Sequence, residues 1–193
     1  MQRTNDEILG LKKMLSYREM YMDEAERIAE IDAVYPIKNA WRMNRKTGEY
    51  ELKEINWTDE SLPNGFEWHL DRFIKTIQDG GKAFGCFDDD TLVGYATIGS
   101  KVFGQKERYV LLDQLFVSSH YRNKGIGRRL VVLCAEQARL FGAEKIYVCA
   151  GSSEDTISFY KKLGSRAATE IDKELFEEDP NDIQLELAIV DFV

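Results

Sequence analysis

YVLLDQLFVSSHYRNKGIGRRL, Tyr109 to Leu130, runs from a continuous apolar stretch into a short basic loop with two glycines. Tyr109 to Val117 is too apolar on both faces for an edge strand and reads as a buried one. Strict alternation puts Leu111, Asp113, Leu115 and Val117 on one face and Leu112, Gln114 and Phe116 on the other. Beyond it, Ile126, Leu130, Leu133, Cys134, Ala138 and Phe141 mark one stripe of a helix that Gly142 stops. Gly125 and Gly127 stand between that strand and that helix, where backbone can approach a ligand closely and aim unpaired N–H groups at it. Arg122, Lys124, Arg128 and Arg129 add positive charge, so the ligand the loop favours is a phosphate.

The loop lacks two common phosphate signatures. No Lys-Ser or Lys-Thr follows a glycine at the spacing of a mononucleotide P-loop, and Leu130 occupies the third glycine position of a dinucleotide fingerprint. Read alone, a Gly-x-Gly turn is equally a plain strand-to-helix connection.

Composition narrows the classes further. The 193 residues are 44% hydrophobic, enough for one well-filled core, and a single domain over residues 1–193 is expected. The formal net charge of -8 argues against a nonspecific nucleic-acid binder, whose affinity comes from basic surface. No apolar run is long enough for a membrane span, and charges break the opening MQRTNDEILGLKKML too often for a secretory leader. A cytoplasmic setting is expected. Cys86, Cys134 and Cys149 lie in apolar stretches without a CxxC spacing, which predicts small core residues and no metal site.

Along the rest of the chain, Met22 to Ala33 patterns as an amphipathic helix and AWRMNRKTGEYELKEI as a hairpin around Lys46-Thr47-Gly48. Gly65 to Ile77 has helical spacing with Gly80-Gly81 as its stop. KAFGCFDDDTLVGYATIGSKVF reads as two strands about an acidic turn. A strand from Glu144 to Ala150, a helix from Thr156 to Leu163 and a last strand in DIQLELAIV complete the order. That order predicts an α/β domain with helices flanking a central mixed sheet.

Arg-x-x-Gly-x-Gly after a strand ending Leu-x-Val, then a further strand and Phe-Tyr-x-x-Leu-Gly some thirty residues on, resembles the GNAT-type N-acetyltransferase superfamily. The resemblance covers about Lys82 to Arg166 and implies a mostly antiparallel sheet with splayed central strands. It also implies acetyl-CoA as cosubstrate. The loop of Arg122, Asn123, Lys124, Gly125, Ile126, Gly127 and Arg128 would then hold the pyrophosphate, and Leu115, Phe116 and Val117 would offer main-chain groups to the pantetheine arm. Ser153 stands where the family often has Asn, and Gly164-Ser165 replaces its usual Gly-Phe. Tyr160 aligns with the tyrosine that commonly hydrogen-bonds the coenzyme sulfur.

A phenol can donate a proton to a departing thiolate, so Tyr160 is the first catalytic candidate. Asp113 is the second: a carboxylate among apolar neighbours needs a partner or a task, whether holding an ammonium, relaying its proton or making a structural hydrogen bond. His120 reads as surface and His69 as lying on the polar side of its helix. Trp41, Trp57, Trp68, Tyr50 and Phe66 crowd the half of the chain where the family builds its acceptor pocket. The acids from Glu170 to Asp182 read as solvated surface that would attract a cation if they bordered the pocket. The expected acceptor is a primary amine of a small molecule or peptide, a small or exposed cationic one, and the reading is compatible with a homodimer. A noncatalytic acyl-CoA sensor on the same fold is the alternative.

Overall fold

The computed structural model describes residues 15–192, and all of the N-terminal stretch MQRTNDEILGLKKML except Leu15 lies outside them. The strands are β1 (Ser16–Met20), β2 (Tyr35–Met43), β3 (Tyr50–Asp59), β4 (Lys82–Asp88), β5 (Thr91–Ile98), β6 (Tyr109–Val117), β7 (Lys145–Ala150), β8 (Arg166–Ala167) and β9 (Ile183–Ala188). The α-helices are α1 (Phe66–Gln78), α2 (Ile126–Leu140), α3 (Glu154–Lys162) and α4 (Lys173–Glu178). Seven strands form one sheet in the order β1-β4-β5-β6-β7-β9-β8, while β2 and β3 pair as a separate ribbon. Within the sheet only β6 and β7 run parallel. No described helix is long and apolar enough to cross a membrane.

Two apolar cores flank the sheet. On one side Phe73 of α1 and Ile28 pack with Ala83, Phe87, Leu92 and Tyr95. On the other, Ile126, Leu130 and Cys134 of α2 and Ile157, Tyr160 and Leu163 of α3 pack against Ile98, Val110, Ile146 and Leu187. Burying such side chains contributes about 1.5–3 kcal/mol each, which is why the periodic stripes of these elements were readable in the sequence.

The alternation expected for β6 fails at one residue. Ile98 pairs with Leu112 and Thr97 with Gln114, leaving Asp113 without a partner across the ladder. This β-bulge resets the side-chain parity. Val110 and Leu112 therefore share the α2 side with Leu115 and Val117, whereas Gln114 and Phe116 face α1. Asp113 also turns to α1, where its carboxylate meets Arg72 and Thr76.

Other departures are local. Met22–Glu30 is a 3-10 helix, with i to i−3 bonds at both ends (Glu24 N–H to Tyr21 O, 3.0 Å; Ile31 N–H to Ile28 O, 3.2 Å). Its start is tied to β1 by the Arg18–Glu24 ion pair at 2.6 Å. The acidic run after Glu170 is not simply solvated. Glu170 accepts the N–H groups of Gln105, Lys106 and Glu107 at 2.5–2.8 Å, and Asp172 caps α4 by accepting the Leu175 N–H at 3.0 Å.

The feature that positions the site is where β6 and β7 stop pairing. The β5–β6 ladder continues to Val117 and the β7–β9 ladder to Ala150, but β6 and β7 pair only from Tyr109–Lys145 to Leu111–Tyr147. Past Leu111 the two central strands part. Below the parting, the buried Glu186 carboxylate of β9 draws the three strands together. It accepts from Tyr109 Oη (2.5 Å), Lys145 Nζ (2.7 Å) and the Thr169 N–H (2.9 Å).

Candidate active site

The glycine turn closes one mouth of the parting. Gly125 sits at φ +83°, in the left-handed region that disfavours a side chain, and a Cβ there would meet nothing within 4 Å. No side chain caps α2 and no acid lies in its first turn, so its leading N–H groups face outward with the positive end of the helix dipole. Gly127 is small for another reason: a Cβ there would lie 3.1 Å from Phe159 Cζ. Asn123, Lys124, Arg128 and Arg129 are exposed around this turn, while Ile126 is buried beneath it. Backbone donors, dipole and cationic side chains together make an anion cradle.

Arg122 has a different task from its neighbours. Its guanidinium donates to Val117 O (3.0 Å) and Val34 O (2.9 Å) and stacks over Tyr35 at 4.7 Å, fastening the chain before β2 to the end of β6. The cationic side chains exposed at the cradle are therefore Lys124, which lies over the Tyr121 ring at 4.9 Å, Arg128 and Arg129. Val117 shares its carbonyl with Arg122, whereas Leu115 and Phe116 lie farther inside the parting.

Ser153 stands on the opposite lip. Its hydroxyl accepts the Thr156 N–H at 3.2 Å, capping α3, and lies 3.3 Å from Tyr35 Oη. The β2–β3 ribbon docks on the same turn: Trp41 N–H donates to Ser152 O at 2.8 Å and Asn39 Nδ2 to Glu154 at 2.8 Å. Behind this lip, Tyr160 of α3 packs into the α2-side core and is 6% exposed. Its hydroxyl has no hydrogen-bond partner among the described residues, and burial raises its pKa well above the phenol range, with smaller contributions from Cys134, Asp182 and Cys149.

The α1 face of the parting is charged. Asp113 Oδ1 accepts from Arg72 Nε at 2.9 Å and also from Nη2, while Oδ2 accepts from Thr76 Oγ1 at 3.2 Å. Arg72 extends to Glu178 of α4 at 2.9 Å and lies over Trp68 at 4.7 Å. On β7, Cys149 is only partly buried and its thiol donates to Gln184 Oε1 at 3.1 Å. Burial pushes that thiol up to about 12.

His69 is not on a polar face. It is 3% exposed, with Nε2–H donating to Pro63 O at 2.7 Å and Nδ1 accepting from Gln114 Nε2 at 2.9 Å. A ring with one donating and one accepting nitrogen is neutral, and burial lowers its pKa accordingly. It joins α1 to β6. His120 is exposed, as expected. The aromatic crowd disperses: Trp41 packs on the core beside Lys161, Trp57 is 61% exposed, and Trp68 braces Arg72. Sequence reading passed over Arg72 and Gln184 and took Asp182 only as part of an acidic run; an arginine on a helix, a glutamine in a strand and an acid in such a run carry no local mark of what they face.

Known proteins agree with this architecture. The profile of the acetyltransferase (GNAT) family matches residues 47–165. Nourseothricin acetyltransferase superposes with a TM-score of 0.66 at 18% identity, over 91% of this chain and 98% of that one. The PaiA N-acetyltransferase of Thermoplasma acidophilum, in complex with coenzyme A, gives 0.57 at 16%, over 91% and 99%. The ribosomal-protein-S18-alanine N-acetyltransferase of Escherichia coli gives 0.56 at 13%, over 91% and 94%. No curated protein matches the chain. The mixed sheet and its flanking helices are those of that fold, and since the profile covers more than half of the sequence, the chain belongs to the GNAT family of acetyltransferases.

Proposed function

We propose that this protein transfers the acetyl group of acetyl-CoA to a primary amine, as one domain spanning the whole chain. The observation that carries the reading is the parting itself: the edges of β6 and β7 are unpaired beyond Leu111, the uncapped glycine turn follows the end of β6, and α3, which carries the buried Tyr160, follows the end of β7.

Acetyl-CoA fits the chemistry of these groups. The turn from Asn123 to Arg128 holds the pyrophosphate through N–H groups, with Lys124 and Arg128 adding charge at the mouth. Leu115 and Phe116 give amide partners to a pantetheine arm, since parted strands leave N–H and C=O groups that need them. Val117 and Arg122 shape the mouth, and Ser153 holds the opposite lip. When bound, the thioester supplies the activated acetyl carbon. Tyr160 then donates its proton to the departing sulfur, the task that a buried, un-ionised phenol performs. Asp113 holds Arg72 against the acceptor side; of the roles open to it in the sequence, this positioning one is favoured by the ion pair.

The test is thiol release from acetyl-CoA over a panel of amines, with products identified by mass. Amine-dependent release supports transfer. Tight acetyl-CoA binding without release would instead support an acyl-CoA sensor.

A further inference from the structure

We infer that Asp182 is the proton acceptor for the incoming amine, acting where β9 begins beside the free end of β7; this rests on the amine-acetylation reading above. The β9 ladder fixes its place. Ile183 pairs with Ala150 and Gln184 with Cys149, so Asp182 lies just before the first rung of β9, where β7 has already left β6. Ile183 and Leu185 pack into the α2 side and alternation turns Gln184 and Glu186 to the α1 side, where Gln184 meets Cys149; Asp182 is the bend residue that leads into this strand from a turn closed by its N–H on Asp179 O at 3.1 Å. Its charge reaches both the Tyr160 hydroxyl and the Cys149 thiol.

Asp182 differs from the other acids around the parting in having nothing to hold. Asp113 is taken by Arg72 and Thr76, Glu178 by Arg72, and Glu186 by Lys145, Tyr109 and Thr169. Among the described residues no donor reaches the Asp182 carboxylate. A half-buried, unpaired carboxylate is destabilising, and such groups concentrate where chemistry uses them. Burial raises it to about 6, and the neighbouring Asp179 adds to the rise. Its charge is felt by Tyr160 of α3 and Cys149 of β7, and the same thiol feels Glu178 of α4, Arg72 and Asp113. A carboxylate so placed is largely ionised at neutral pH, yet basic enough to take a proton directly or through one water.

The protons balance. Asp182 takes one proton from the acceptor ammonium. Tyr160 gives its proton to sulfur as the C–N bond forms and the C–S bond breaks. Through solvent Tyr160 regains the second proton that nitrogen loses, and Asp182 releases the first. Ammonium and thioester thus yield amide, thiol and one proton.

The experiment measures thiol release from acetyl-CoA with spermidine and with 2-phenylethylamine between pH 5 and 9, for wild type, Asp182→Asn, Asp182→Glu and Asp113→Asn. The wild-type kcat/KM should fall on the acid side through an apparent pKa near 6. Asp182→Asn should lose about 100-fold and that acid limb while binding CoA normally, Asp182→Glu should restore the limb, and Asp113→Asn should leave it in place. The thermal midpoint gives a readout free of catalysis. A carboxyl raised in the folded state favours folding while protonated and opposes it once ionised, so Asp182→Asn should melt higher than wild type at pH 8 and converge with it below pH 5. An Asp182→Asn enzyme with the wild-type pH profile overturns this inference alone. Wild type with no amine-dependent release overturns the acetylation reading and this one with it.

Discussion

Arg72 of α1 and Asp113 of β6, 41 residues apart, form an ion pair at the one position where β6 has an extra residue. The bulge aims the carboxylate at α1, and the guanidinium carries the contact on to Glu178. Asp113 has 7% of its side chain exposed and Arg72 24%, so removing one partner strands a charge with little water. Arg72→Ala should destabilise the fold by about 3 kcal/mol, the low end for breaking a buried pair. Denaturant titration checks this. Replacing both residues with apolar ones of similar size should recover most of the loss.

The phosphate cradle depends on backbone more than on charge. Gly125→Val forces a β-branched residue to φ +83°, and Gly127→Val presses a side chain onto Phe159. Either should weaken CoA binding by about tenfold or more, whereas Lys124→Ala, which removes a solvated and screened charge, should cost about threefold or less. Calorimetric titration with CoA decides the order. An equal loss for Lys124→Ala would place the phosphate hold in the side chains.

Tyr160→Phe keeps the ring in the α3 core and removes the donor. The expected result is a kcat lower by about 100-fold with acetyl-CoA affinity nearly unchanged. Unchanged turnover would mean that water protonates the thiolate.

Glu186 predicts an acid-stability signature. Burial alone would raise its carboxyl, but hydrogen bonds from Lys145, Tyr109 and Thr169 outweigh that and hold it at about 2. A carboxyl depressed in the folded state stabilises above its unfolded pKa of about 4.3 and loses that contribution as pH falls toward the folded value. Wild type should therefore lose stability between about pH 4.5 and 2 more steeply than Glu186→Gln, as chemical denaturation along a pH series would show.

With a net charge of -8 and Glu178, Asp179 and Asp182 by the parting, a cationic acceptor should be drawn in. Added salt should raise the KM for spermidine more than that for the singly charged 2-phenylethylamine. A salt-indifferent KM for spermidine would remove electrostatic attraction from the account.

The helices and their stops were legible because a 3.6-residue stripe ending in glycine leaves a local trace, as from Ile126 to Gly142. The glycine turn and Tyr160 were legible through their motif. The bulge was not, because one inserted residue at Asp113 leaves the composition of the strand unchanged while reversing its parity. Nor was the parting: Leu112 to Val117 reads as a strand whether or not β7 accompanies it. The buried His69 and the capping Glu170 were misread for the same reason. Their partners, Gln114 and the 105–107 loop, lie 45 and over 60 residues away, and a sequence window shows polarity without showing what satisfies it.

The parting of β6 and β7 also has a mechanical meaning. Three paired positions, Tyr109–Lys145 to Leu111–Tyr147, carry the whole ladder between a four-strand half and a three-strand half of the sheet. This is a seam through the middle of the molecule, stitched at one end by Glu186 and at the other by the side chains on either lip. Amides along it should exchange with deuterated solvent through a short local opening, while those of β4 and β5, paired on both sides, should wait for a larger one. A ligand that bridges the halves raises the work of parting them, so the fastest-exchanging interior amides are also the ones it slows most.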